Sequence, residues 1–170
     1  MAKEKEVLFE GDRATLTFEL NGDTIGGLSA AELQILIDVA VRSIGCSCGV
    51  DQELSEGAAG HFENKEGRRD LFAGATQKTL ASFALSAPEV ALVQARFAGF
   101  HMLRGIAVAI PRKTPAQRGR QKSEARWPGF SLPALYAINE VAADDCVVVF
   151  VREDSKIRVR TLRSFFPQAA

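Results

Sequence analysis

The 170 residues include 21 basic and 21 acidic side chains, and 46% of the chain is hydrophobic. These proportions are typical of one globular domain with a sizeable core. The longest apolar runs, "IAVAI" and "CVVVFV", are too short to span a bilayer, and three cysteines do not form a disulfide framework. We therefore expect a cytoplasmic protein with no membrane partner.

The first 45 residues predict a β-hairpin followed by an amphipathic helix. "EVLFE" and "RATLTFEL" flank the turn residues Gly11-Asp12, and in the second run apolar and polar residues alternate with a period of two. In "SAAELQILIDVAVRSIG", Ser29 and Glu32 have the spacing of a capping box, and apolar residues recur at helical spacing up to Ile44. Gly45 ends this helix.

The middle of the chain permits two interpretations. Residues 46–69 are rich in glycine and charge, which predicts a long mobile loop. Residues 70–104 fit either two helices or a β-meander. We favour the helices, because Ser86 and Glu89 have the spacing of a second capping box with Pro88 in the first turn.

The last 60 residues predict a strand, a basic loop, a helix and a second hairpin. "IAVAI" is the strand, residues 111–129 form the mobile loop, and "FSLPALYAINEVAADD" is a helix capped by Ser131. "CVVVFV" and "KIRVRTL" form the hairpin. The whole chain, residues 1–170, is thus expected to be a single α+β domain.

Charge is distributed unevenly along the chain. Residues 1–95 carry 8 basic and 15 acidic side chains, whereas residues 96–170 carry 13 and 6. The stretch "PRKTPAQRGRQKSEARW" alone holds six cations, beside Trp127. Arginine suits phosphate oxygens and aromatic rings stack on bases.

The leading hypothesis from this charge is a non-catalytic accessory protein that binds nucleic acid. Its predicted contacts are the basic loop, Trp127 and the basic face of the last strand: Arg112, Lys113, Arg118, Arg120, Lys122, Arg126, Trp127, Lys156, Arg158 and Arg160. The alternative is an assembly or adaptor subunit whose basic loop docks on an acidic protein surface. Either protein could form a homo-oligomer.

A metal-dependent nuclease is the third hypothesis. Asp154 and Lys156 have the D-x-K spacing of some Mg²⁺ nucleases, and Asp144 and Asp145 lie upstream. Asp154 and Ser155 are also turn formers, however, which favours a hairpin turn. "GCSCG" supplies only two closely spaced cysteines, too few for a structural zinc site. We therefore expect no catalytic residues, metal or cofactor.

The uneven charge predicts a salt-sensitive homo-oligomer, held by contacts between the acidic and basic halves. Exposed charges are screened beyond about 8 Å at physiological ionic strength, so added salt should dissociate it. Light scattering at low and high salt measures the mass. A monomer under both conditions would contradict the prediction.

Overall fold

The computed structural model describes residues 7–20, 22–50, 54–79, 83–113 and 125–166. The helices are α1 (Arg13–Leu20), α2 (Ala30–Ser43), α3 (Ala87–Phe97) and α4 (Leu132–Asn139). The strands are β1 (Val7–Gly11), β2 (Thr24–Ile25), β3 (Leu28–Ser29), β4 (Gly57–Glu63), β5 (Arg69–Ala75), β6 (Gln77–Thr79), β7 (Phe83–Leu85), β8 (Met102–Ala109), β9 (Ala142–Val151) and β10 (Ile157–Thr161). Within these ranges, no helix has the length and hydropathy needed to cross a membrane.

A six-stranded sheet of order β1-β10-β9-β8-β4-β5 forms the centre of the molecule. Its strand pairs are antiparallel except β8 and β9, which run parallel. A parallel pair needs a crossover connection, and α4 lies in the segment that joins β8 to β9. The expected single α+β domain is confirmed.

Helices cover both faces of the sheet. On one face α1 and α2 enclose an apolar cluster that includes Leu16, Leu36 and Val149. On the other face α3 and α4 enclose a second cluster that includes Phe62, Ile106 and Val148. Neighbouring strand residues such as Val148 and Val149 thus contribute to opposite clusters, as the pleat of a strand requires.

Both capping boxes predicted from the sequence are confirmed. The backbone N–H of Ser29 donates to the Glu32 carboxylate at 2.8 Å at the start of α2, and Ser86 makes the same bond to Glu89 at the start of α3. Ser131 accepts a hydrogen bond from the N–H of Ala134 at the start of α4. The β9–β10 hairpin is also confirmed.

The predicted N-terminal hairpin is wrong. The second run, "RATLTFEL", is the helix α1, and β1 pairs with β10 instead. The Asp12 carboxylate accepts hydrogen bonds from the N–H and hydroxyl of Thr15 at 2.9 and 2.8 Å, which caps the helix. Leu16 and Leu20, four residues apart, are both buried on one side of this helix.

The predicted mobile loop at 46–69 is wrong in its second half, where β4 lies between β8 and β5. The strand "GAAGHFE" begins with four small residues, Gly57 to Gly60, because both faces of the sheet are covered at close range there. A Cβ on Gly57 would lie 2.0 Å from the Ala40 carbonyl oxygen of α2, and one on Gly74 would lie 2.1 Å from the Ala87 carbonyl oxygen of α3. These glycines are required by the approach of the helices.

Two further boundaries differ from the prediction. Residues 69–75 and 77–79 are strands, so the first of the two predicted central helices is wrong. The second is α3, but it ends at Phe97, and the last residues predicted as helix, from Met102, begin β8. The C-terminal helix ends at Asn139, and residues predicted to continue it begin β9. Of the predicted loop at 111–129, the structure describes 111–113 and 125–129 as irregular, whereas residues 114–124 lie outside the described ranges.

Gly57→Ala should destabilise the protein by about 3 kcal/mol, because the added methyl group must displace the α2 backbone. Gly45→Ala is the control, since a Cβ there would meet nothing within 4 Å; its effect should stay within about 0.5 kcal/mol. Urea denaturation of both variants measures the difference. Equal stability of the two variants would contradict this account of the packing.

Candidate functional site

The candidate site lies at the end of the sheet where the parallel strands β8 and β9 finish, at Ala109 and Val151, here called the carboxyl end. β4 starts at this end, because Gly57 pairs with Ala109. The start of α4 also lies here, since the rings of Phe130 and Phe150 are 5.5 Å apart. In open sheets with parallel strands, ligands bind outside the carboxyl ends of those strands.

Glu56 immediately precedes β4 at this end, and its backbone is firmly held. Its N–H donates to the Thr76 hydroxyl at 3.1 Å, and its carbonyl oxygen accepts from the N–H of Thr76 at 3.1 Å and the hydroxyl of Ser47 at 3.2 Å. Its carboxylate receives no hydrogen bond within the described ranges. The side chain therefore presents an unpaired carboxyl group on a rigid support.

Burial raises the pKa of Glu56, and the nearby Arg126 guanidinium opposes this only in part. Desolvation penalises the charged form of a carboxyl group, so its proton is held more strongly than in water. A carboxyl group with a raised pKa at a ligand-binding edge is a candidate for binding or proton transfer.

Backbone hydrogen bonds join the segments around Arg126. Its carbonyl oxygen accepts from the N–H of Glu153 at 3.3 Å, and the Glu153 carbonyl accepts from the N–H of Lys113 at 3.0 Å. Glu153 is only 6% exposed. The segments before α4, after β8 and after β9 are thus connected, and this connection fixes the backbone of Arg126.

Trp127 does not offer the free stacking surface that the sequence predicted. The guanidinium groups of Arg158 and Arg152 lie 4.2 and 4.9 Å from its ring centroid. Arg158 also donates to Glu10 at 2.8 Å, and Arg152 makes two 2.7 Å bonds to Asp154. The ring therefore belongs to a cation–π cluster.

The other predicted contact residues are distributed over several places. Arg112 and Lys113 follow β8, and Lys156 is exposed in the β9–β10 turn. Arg160 lies in β10 with its guanidinium 4.5 Å from the Phe165 ring centroid. Arg118, Arg120 and Lys122 lie outside the described residues. The structure brings Arg112, Arg126 and Trp127 to the carboxyl end.

The proposed nuclease carboxylates are not brought together. Asp144 pairs with Arg163 and Asp145 with Arg104 near the start of β9, whereas Asp154 lies beyond the other end of that strand. The strand rises about 3.3 Å per residue, so the two groups are some 20 Å apart or more. Asp154 also accepts from the N–H of Lys156, which confirms the turn interpretation.

Three solved cytidine deaminases share this arrangement of helices and strands. The enzyme from Burkholderia pseudomallei superposes with a TM-score of 0.60 at 17% identity, over 81% of this chain and 98% of that chain. The enzymes from Mycobacterium tuberculosis and Mycobacterium leprae give TM-scores of 0.56 and 0.54 at 14% identity. They align with 81% and 80% of this chain and cover 96% and 98% of their own.

The chain has the fold of the cytidine deaminases. No protein-family model matches the sequence, and no curated protein matches it. The fold overturns the leading hypothesis: the prediction of a non-catalytic nucleic-acid-binding accessory was wrong. That hypothesis rested on the number of basic residues, and Arg158, one of the predicted contacts, forms an ion pair with Glu10 within the protein instead.

Zinc deaminases hold their metal with one histidine and two cysteines, or with three cysteines, in an H-x-E…P-C-x-x-C signature. None of the six prolines here precedes a cysteine. His61-Phe62-Glu63 matches the H-x-E part of this signature in residue type. It lies within β4, however, where Glu63 forms ion pairs with Arg69 and Arg104.

The residues present therefore do not fit a deaminase zinc centre. All three cysteines and both histidines lie within the described ranges, and no metal-binding group of three His, Cys, Asp or Glu side chains occurs there. Cys146 is buried in β9, and burial raises the pKa of its thiol to about 12. Such a thiol resists the deprotonation that metal binding requires.

Glu56→Gln should make stability less dependent on pH. The pKa of Glu56 is higher in the folded protein than in the unfolded chain. The wild type therefore loses stability as the pH rises from below the unfolded-state pKa through the folded-state pKa. The glutamine side chain does not titrate. The stability of the variant should therefore increase relative to that of the wild type between about pH 4 and pH 7. Urea denaturation at both pH values measures this change.

The control for this experiment is Glu66→Gln. Glu66 is exposed in the turn between β4 and β5, so this variant makes the same chemical change at a surface position. A Glu56→Gln variant that loses stability relative to wild type as pH rises would contradict the assigned desolvation.

Proposed function

We propose that this protein binds a pyrimidine nucleoside at Glu56. The supporting observation is the desolvated carboxyl group of Glu56, which accepts no hydrogen bond from the described residues, at the carboxyl end of a cytidine deaminase fold. Thr76 and Ser47 fix its backbone, so the main chain that carries the carboxyl group is ordered before any ligand arrives. Preorganisation of this kind lowers the cost of binding.

The chemistry of a carboxyl group suits a cytosine base. A protonated carboxyl group donates one hydrogen bond and accepts another, and cytosine offers a ring-nitrogen acceptor beside an amino donor. Carboxylates commonly accept from this amino group. Because burial raises the pKa of Glu56, the protonated form is available nearer to neutral pH than it would be in water.

Arg126 provides a second polar group for the same ligand. Its charge is close enough to Glu56 to oppose the effect of burial on the carboxyl pKa. A guanidinium group only donates hydrogen bonds, and the base carbonyl of a pyrimidine is an acceptor. In this proposal Glu56 recognises the amino edge and Arg126 the adjacent carbonyl.

The proposed function includes no zinc-dependent hydrolysis. In zinc deaminases the metal activates a water molecule that attacks the base. The cysteines and histidines of this chain do not form the set that would hold the metal. The chemistry supported here is therefore recognition of the nucleoside by protein side chains.

Calorimetric titration with cytidine tests the proposal. Wild type should bind, Glu56→Gln should retain binding because an amide also donates and accepts, and Glu56→Leu should weaken it roughly tenfold or more. Glu66→Gln is the matched control and should bind as wild type does. Undetectable binding at millimolar cytidine, or equal affinity of the leucine variant, would refute the proposal.

A parallel assay measures ammonia released from cytidine with added Zn²⁺. We expect no release above that of a protein-free sample. Zinc-dependent release that is retained in Glu56→Leu would show that the reactive site lies elsewhere and that the zinc argument is wrong.

A further inference from the structure

A second cleft, separate from Glu56, opens at the carboxyl end between the ends of β8 and β9 and the helices α1 and α2. Its volume is about 290 Å³. Arg13, Arg112 and Arg152 line it together with Ser155, and its apolar wall consists of Val41, Ile44, Ile110 and Val151. These residues are far apart in sequence, so the fold alone assembles the cleft.

Two of the three guanidinium groups are held by carboxylates. Arg152 makes a bidentate pair with Asp154, with both distances 2.7 Å, and its side chain is only 17% exposed. Arg13 pairs with Asp38 of α2. Such pairs orient the guanidinium planes.

Arg112 differs from the other two. Within the described ranges, no hydrogen bond or ion pair of its side chain is recorded, and the residue is exposed at the mouth of the cleft. Arg112 is thus a cleft arginine whose guanidinium has no hydrogen-bond or ion-pair partner among the described residues, and its positive charge favours an anionic ligand.

Ser155 adds a hydroxyl group carried on a tightly constrained backbone. Its φ of 69° is in the left-handed region, which is uncommon for a residue other than glycine. A 2.8 Å hydrogen bond from its N–H to the Arg152 carbonyl oxygen closes the turn that imposes this conformation. The turn keeps the serine beside Arg152 in the lining of the cleft.

We propose that this cleft binds a small organic phosphate monoester. The planar fork of arginine matches the geometry of phosphate oxygens, and three such groups with a hydroxyl provide several donors for one phosphate. The apolar wall would contact the organic part of the ligand, as in most small-molecule sites. The volume suits a ligand of about the size of phenyl phosphate.

Calorimetric titration with phenyl phosphate tests this inference. Wild type should bind phenyl phosphate more tightly than inorganic phosphate, because only the former contacts the apolar wall, and it should not bind phenol. Arg112→Gln should weaken binding of phenyl phosphate roughly tenfold or more, since it removes the charge that has no partner. Because Arg112 is exposed, this variant should keep the wild-type Tm.

Two controls separate this site from other effects. Arg163→Gln removes an exposed arginine that pairs with Asp144 near the opposite end of β9, and it should bind phenyl phosphate as wild type does. Glu56→Leu should also bind it normally, whatever its effect on cytidine. Absence of phosphate binding, equal affinity of Arg112→Gln, or equal losses in the Arg112 and Arg163 variants would overturn the inference.

Discussion

The close packing of two helices against glycine positions of the sheet determines most of this architecture. α2 approaches Gly57 and α3 approaches Gly74 at distances that leave no room for a methyl group. Because these positions lie on neighbouring strands, the helices enclose that part of the sheet from both sides. A sheet covered in this way buries alanine and glycine where an ordinary strand would bury valine.

This packing also positions one wall of the cleft that contains Arg13, Arg112 and Arg152, here called the arginine cleft. Ile44, which directly follows α2, lies beside Gly57 of β4 and in the apolar wall of that cleft. Glu56 precedes Gly57 and is desolvated. Two different polar environments thus border the start of β4.

Sequence reasoning succeeded where the determining interactions are local. The Ser29–Glu32 and Ser86–Glu89 capping boxes depend on residues three positions apart, and both helix starts were predicted correctly. Sequence reasoning failed at β4, because a run of small residues is typical of a loop. Such a run indicates a strand only when the helices that cover it are known. It also failed at α1, because the apolar residues in this eight-residue segment fit both the spacing of a strand and that of a helix. The Asp12 cap and the burial of Leu16 identify the segment as a helix.

The candidate site was less accessible to such reasoning. Glu56 has no sequence motif, and its raised pKa results from burial by segments distant in the chain. Arg13 and Arg112 are about 100 positions apart, and nothing local indicates that they line one cleft. The number of basic residues can be read from the sequence, whereas the ion pair of Arg158 with Glu10 depends on strands that lie far apart in the chain.

The cation–π cluster has an optical consequence. Trp127 is the single tryptophan of the chain, and Arg152 both covers its ring and lines the arginine cleft. Indole emission depends on the charges around the ring, so movement of the Arg152 guanidinium would be transmitted directly to the fluorescence of one residue. The protein thus carries an intrinsic spectroscopic reporter that contacts one of the side chains lining the arginine cleft.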